Sequence, residues 1–285
     1  MIGLKRGTVI LCDHQEKWEI EAQKAIAKLK EILGDTAKKI EHVGSTAIKS
    51  IKAKPIIDIM LSVDSFSELL KYEEILRESF FYYRPSASHN TQLLFGCGSF
   101  YDGTGDIQTH FIHAVLWGSQ EERNYISFRD YLNAHPEDAK RYEELKISLA
   151  NKPRDEYTKS KNQLINRILQ KALALSYLGK ELEIKIDRPL GSTHPKHKNI
   201  VYPVNYGYIP NRIVGDGEEL DVYLLGVNEP VSEYKAKIIA VIYRLNDNED
   251  KLVACPSGIS FTKEQIIEMV HFQEQYFQIE IEKIS

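Results

Sequence analysis

The segment NYGYIPNRIVGDGEELDV, residues 205–222, sets Asp216, Glu218, Glu219 and Asp221 within six positions behind an aromatic turn. Like charges at that spacing repel one another unless a cation sits among them. A second acidic segment, NDNEDK at 246–251, carries Asp247, Glu249 and Asp250 and ends on Lys251. Hard divalent ions, Mg2+ above all and Mn2+ after it, take carboxylate oxygens together with waters and phosphate oxygens, so acids from two loops can hold two or more of them. Gly-Asp-Gly is also turn chemistry, and NDNEDK also reads as a polar hairpin loop. The company favours a site: both segments fall in one small region with Arg188, Lys251, Tyr206 and Tyr276.

The first half has its own phosphate-type pattern, HVGSTAIKSIKAKPIIDI at 42–59, a Gly-Ser turn followed by an apolar strand that carries Asp58. A small turn lets backbone N–H groups approach a triphosphate, and a carboxylate on the adjacent strand can hold the Mg2+ that accompanies it. A tight turn beside a strand-end acid reads the same way.

The elements that must position these residues differ between the halves. In QEKWEIEAQKAIAKLKEILG, Trp18, Ala22, Ile26, Leu29 and Leu33 recur at helical spacing before Gly34, which predicts an amphipathic helix. IEHVGSTAI, AKPIIDIMLSV and QTHFIHAVLW read as strands around a Tyr/Phe-rich stretch, and from Ser119 the pattern is helical. YTKSKNQLINRILQKALALSYLGK predicts one long helix that Gly179 closes, and the domain boundary is placed there, giving domains 1–178 and 179–285. Beyond it LEIKI, DVYLLGV and AKIIAVIYRL are short strands of period two, predicting a small barrel or sandwich. A single closing helix starts at a Thr262 cap and turns Ile266, Ile267, Val270 and Phe277 inward.

The 285 residues and a 42% hydrophobic share allow two packed cores. A net charge of -4, with both signs dispersed, argues against a protein that coats nucleic acid or anionic membrane. No apolar run is long enough to span a bilayer and the N-terminus lacks a signal-peptide pattern, so a cytoplasmic protein is expected. Cys12, Cys97 and Cys255 lack metal-finger spacing and read as buried thiols.

From about residue 181 to 277 the order IDRPLG, YPVNYGYI, DGEELD, NDNEDKLVACP resembles the family I soluble inorganic pyrophosphatases. The resemblance implies an OB-type five-stranded barrel with one closing helix. It implies that Asp216 and Asp221 bind activating metals, that Glu218 accepts a proton from the attacking water, and that Asp247 and Glu249 hold further ions, with Asp250 as the alternative to Glu249. Arg188, Tyr206, Lys251 and Tyr276 would grip phosphate oxygens. Glu218 is one methylene longer than the family's Asp, Phe277 stands where the family has Lys, and an early hairpin bearing a Glu and a Lys is absent. An inserted segment, GSTHPKHKNIVY, brings His194, Lys196, His197 and Lys198 near the Arg188 strand, as an exposed basic loop or as a substitute phosphate clamp.

Residues 8 to 175 resemble the GrpB (UPF0157) family of the nucleotidyltransferase superfamily through IEHVGSTAI, AKPIIDI, HFIHAV, FRDYLNAHPEDAKRYEELK and YTKSK. This implies an α/β core with C-terminal helices, making the whole chain a two-domain α+β protein. Gly44, Ser45 and Asp58 would form a nucleotide-phosphate pocket with Thr46, Lys54, His110, His113, Arg129 and Lys161 around it, and Asp58 as a metal ligand. Active members of the superfamily place a second acid two residues on, where this chain has Met60. Either His113 completes the site or the domain binds a nucleoside triphosphate without transferring it.

Two functional expectations result. In one, the barrel hydrolyses a phosphoanhydride, pyrophosphate first, released by nucleotidyl transfer in the other domain. In the other, the chain is a nucleotide sensor whose barrel has become a binding module. Pyrophosphatases of this family commonly assemble, whereas the extra N-terminal domain can block the usual contacts, so monomer and homo-oligomer both stay open; membrane and nucleic acid are not expected partners.

Overall fold

The computed structural model describes residues 2–149, 154–195, 197–198, 200–213, 219–247 and 249–284, without the side chains of 149, 154–163 and 211–213. By internal contacts the chain separates into Met1–Leu164 and Ile165–Ser285.

In the first unit β1 (Leu4–Lys5) is followed by α1 (Glu16–Leu33), β2 (Ala37–Val43), β3 (Ile57–Val63), α2 (Phe66–Leu70), α3 (Glu73–Glu78) and β4 (Tyr82–Tyr83). Then come β5 (Gln92–Cys97), α4 (Ser99–Asp102), β6 (Ile107–Gln108), β7 (His110–Leu116), α5 (Gln120–Ala134) and α6 (Pro136–Leu149); α7 (Arg154–Ser176) runs across the boundary, so its residues from Ile165 on, Arg167 among them, belong to the second unit. Five strands form one mixed sheet in the order β2-β3-β7-β5-β4, with β3 and β7 parallel and the other pairs antiparallel. Helix α1 buries Trp18, Ala22, Leu29 and Leu33, as its spacing predicts, in the cluster that contains Ile57, Ile59, Leu61 and Val63 of β3. Strand alternation turns Asp58 and Met60 to the other face, where Met60 is sealed with Val43 and Val115 beneath Tyr125 and Ile126 of α5.

In the second unit β8 (Glu181–Arg188), β9 (Asn205–Ile213), β10 (Glu219–Leu224), β11 (Glu233–Arg244) and β12 (Lys251–Cys255) close into a ring, β12-β10-β9-β8-β11 and back to β12. Gly207 lets β9 and β8 approach: a Cβ there would sit 1.8 Å from the Lys185 carbonyl oxygen. Period two divides the core, Val222 and Leu224 packing with one cluster and Tyr223 and Leu225 with the other. Helix α8 (Lys263–Glu274) begins on a Thr262–Gln265 capping box and buries Ile266 and Val270.

Three features depart from expectation. The closing helix is not the last element, because β13 (Ile279–Lys283) adds a sixth strand along β11. Ile267 is 43% exposed rather than inward. Phe277 lies beyond α8, packed on Arg244 instead of in the helix face. Cys97 and Cys255 are buried and Cys12 is half-buried, all three as free thiols. Among the described residues no helix is long and apolar enough to cross a membrane.

Candidate functional site

Barrel register assembles the second-half residues. Arg188 of β8 stands opposite Tyr206 of β9, and Tyr206 stands opposite Tyr223 of β10. Parallel pairing of Val222 with Leu252 places their preceding neighbours, Asp221 and Lys251, side by side. The Lys251 ammonium, its side chain only 2% exposed, donates to Asp221 and, at 2.8 Å, to Glu249 Oε2. One buried cation therefore gathers acids from two different chain segments. Tyr206 is buried beside them, and burial followed by the charge of Asp221 holds its hydroxyl well above the ordinary phenol range, so it stays a donor at neutral pH.

Arg188 donates to the carbonyl and carboxylate of Asp187, at 2.9 and 2.7 Å. Burial pushes the Asp187 carboxyl up; Arg188 opposes this and Asp221 adds to it. Asp247 accepts from Arg244 at 3.0 Å. Of the two alternatives in the second acidic segment, Glu249 faces Lys251, whereas Asp250 is buried against Arg167, with N···O distances of 2.8 Å. Tyr276 lies 60% exposed past α8. The His194 ring stacks on Tyr202 at 6.1 Å, Tyr202 contacts Tyr206 at 5.5 Å, and Lys198 is exposed. Asp216, Glu218 and Lys196 lie outside the described residues.

Sequence reasoning missed Arg244. Its guanidinium is buried, donating from Nε and Nη2 to Glu274 at 2.8 and 2.6 Å, with the Phe277 ring 3.6 Å from Cζ. The available signal was an arginine ending the apolar strand AKIIAVIYR. Arg167 was missed for a different reason, since nothing local distinguishes it from other cations of a polar helix.

In the first unit Asp58 accepts from His113 Nε2 at 3.0 Å, while His113 Nδ1 is buried without a hydrogen-bond partner among the described residues. Gly44, at φ +70°, brings the turn backbone directly against Asp58, since a Cβ there would sit 2.6 Å from Oδ2. Ser45 Oγ meets the Tyr142 hydroxyl at 3.3 Å, and Thr46 is buried on His42 at 2.9 Å. His110 does not join His113: alternation along β7 sends it to the opposite face, where burial lowers its pKa and Nε2 has no partner among the described residues. Arg129 donates to Glu41 at 2.5 Å and to the His42 carbonyl at 3.0 Å, at the wall of an open cavity of about 300 Å3. Lys54 is half-buried before β3, and the side chain of Lys161 lies outside the described residues. Among the described residues, no three His, Cys, Asp or Glu converge as a metal cage.

Comparison with known proteins matches two families in succession along the chain. The family model for GrpB protein matches residues 8–171, and that for inorganic pyrophosphatase matches residues 177–283. The glutamate-rich protein GrpB of Alkalihalophilus pseudofirmus is 40% identical over 173 residues, 59% of this chain and 98% of that protein. The crystal structure of GrpB from Enterococcus faecalis superposes with a TM-score of 0.53 at 26% identity, covering 59% of this chain and 99% of that one. The inorganic pyrophosphatase of Saccharolobus solfataricus is 36% identical over 116 residues, 35% of this chain and 64% of that protein, so the chain spans less than two thirds of its length.

Proposed function

The chain belongs to the GrpB protein family, and from the barrel joined to that domain we propose that it hydrolyses a phosphoanhydride, inorganic pyrophosphate first, beside a domain that binds a nucleoside triphosphate. The observation that carries this reading is the gathering of Asp221 and Glu249 on the Lys251 ammonium, next to Tyr206. Carboxylates that reach one cation from separate segments offer the hard oxygens that Mg2+ or Mn2+ prefers, which supports reading them as part of a site for such ions. Asp221, Glu249 and Asp247 would hold them, with Asp216 joining by its place in the motif. Bound there, the ions would supply an acidified water and neutralise phosphate charge. Glu218 would accept the water's proton. Lys251, Arg188 and the protonated Tyr206 hydroxyl would donate to phosphate oxygens and stabilise charge on the departing phosphate. Lys198 and Tyr276, both exposed, would reach it only at the rim.

Nucleotidyl transfer releases pyrophosphate, and its hydrolysis on the same chain would make the transfer effectively irreversible. A second reading, nucleotide sensing without transfer, is favoured by one observation: the position two residues after Asp58 is Met60, fully buried in an apolar cluster. In both readings Asp58, Gly44 and Ser45 face the triphosphate, and His113 is the neighbour that Asp58 orients. Release of orthophosphate from pyrophosphate, ATP and tripolyphosphate with Mg2+ or Mn2+ tests the barrel. Transfer of a labelled nucleoside monophosphate to any acceptor in cell extract tests the first domain; bound triphosphate with no labelled acceptor would leave a sensor.

A further inference from the structure

We infer that Arg167, a residue of the helix that precedes the barrel, is a positioning residue of the barrel site, bracing the second acidic segment so that Glu249 and Lys251 face Asp221. The inference rests on the reading of that site as one for metal and phosphate. Arg167 Nη1 donates to Asp250 Oδ2 at 2.8 Å, Nη2 approaches Asp250 Oδ1 at 2.8 Å, and Nη2 also donates to the Arg244 carbonyl at 3.0 Å. The Arg244 N–H donates to Asp250 Oδ1 at 3.2 Å. Asp250 is thereby held inside, its side chain 2% exposed.

Extended backbone sends alternate residues to opposite sides. Asp250 held on Arg167 points away from Lys251, which begins the strand, is equally buried, meets Glu249 at 2.8 Å and reaches Asp221. Arg244 completes the brace, tying Asp247 to Glu274 at the end of α8. The provenance of Arg167 is what makes this unexpected. It lies within residues 8–171 matched by the GrpB model, whereas Asp250 lies within 177–283 matched by the pyrophosphatase model. The barrel thus takes a support for its acidic segment from sequence that its own family model does not include.

The test uses the full chain with Arg167→Met, Arg167→Lys, and Arg167→Met combined with Asp250→Leu, which removes both charges and keeps a buried apolar contact. Amide hydrogen exchange over Leu245–Lys251 reads the brace without any metal, and calorimetry with Mn2+ reads the site. The expected result for Arg167→Met is exchange at least about tenfold faster in that segment, with β3 unchanged. Mn2+ affinity should fall about tenfold, the usual size for loss of a group that holds a metal ligand in place. Arg167→Lys should recover part of both effects, and the double variant, although stably folded, should stay weak for Mn2+. Segment exchange within about twofold of the original chain, or faster exchange with unchanged Mn2+ affinity, would overturn the inference. If the unaltered chain binds no Mn2+ and releases no phosphate, the hydrolase reading fails and the exchange result alone decides the brace.

Discussion

Lys251 of β12 and Asp221 of β10 are joined by a direct hydrogen bond across parallel strands, and the same ammonium holds Glu249 at 2.8 Å. The ammonium sits where acids from two segments would otherwise repel, so Lys251→Met should separate two roles. Phosphate release should fall at least about a hundredfold, because a charge-stabilising donor is lost. Mn2+ binding measured by calorimetry should persist or tighten, since Asp221 and Glu249 lose their internal counter-ion. Loss of Mn2+ binding in a folded variant would place Lys251 in the metal cradle instead.

Phe277 covers the Arg244 guanidinium at 3.6 Å. Phe277→Lys restores the residue type that the resemblance leads one to expect, but it sets a second cation against a buried one. The variant should lose about 1–2 kcal/mol of stability, the scale of a desolvated cation–π contact, and should not gain turnover. A denaturant melt with parallel phosphate assay checks both.

Gly44 combines a positive φ with a backbone in contact with Asp58. Gly44→Ala should destabilise the first unit by about 2 kcal/mol or more, through backbone strain and a displaced carboxylate. Titration with a fluorescent ATP analogue should show weakened binding, while phosphate release by the barrel is retained.

Glu19 accepts from His42 Nδ1 at 2.9 Å, and that hydrogen bond first of all holds its carboxyl below the ordinary value of 4.5. A carboxylate whose folded pKa is depressed contributes stability above its ordinary pKa and loses it as pH falls through the folded value. The stability difference between the chain and Glu19→Gln should therefore be full at neutral pH. It should shrink as pH drops below 4.5. Thermal melts across that interval would show it; a difference that grows in acid would contradict the assignment.

Much of this arrangement was legible before any coordinates. Trp18, Ala22, Leu29 and Leu33 announced α1 because a helix buries every third or fourth residue. Thr262 announced the start of α8 because a threonine there caps orphan N–H groups; that Gln265 completes a reciprocal capping box came only with the structure. The β13 stretch IEIEK was hidden, because its partly exposed, acid-rich alternation reads as a polar tail until β11 pairs with it. The choice between Glu249 and Asp250 was hidden more deeply. Both are acids in one short loop, and the guanidinium that holds Asp250 comes from Arg167, 83 residues away. Arg244 likewise needs Glu274 from α8 before its burial makes sense.

The most direct test of the central claim is orthophosphate release from pyrophosphate with Mg2+ by the purified full chain, beside Asp221→Asn. Sustained release by the chain and at least about a hundredfold less by the variant, with circular dichroism unchanged, is the expected result. Equal release by both proteins, or none by the folded chain from pyrophosphate, ATP or tripolyphosphate, would contradict it.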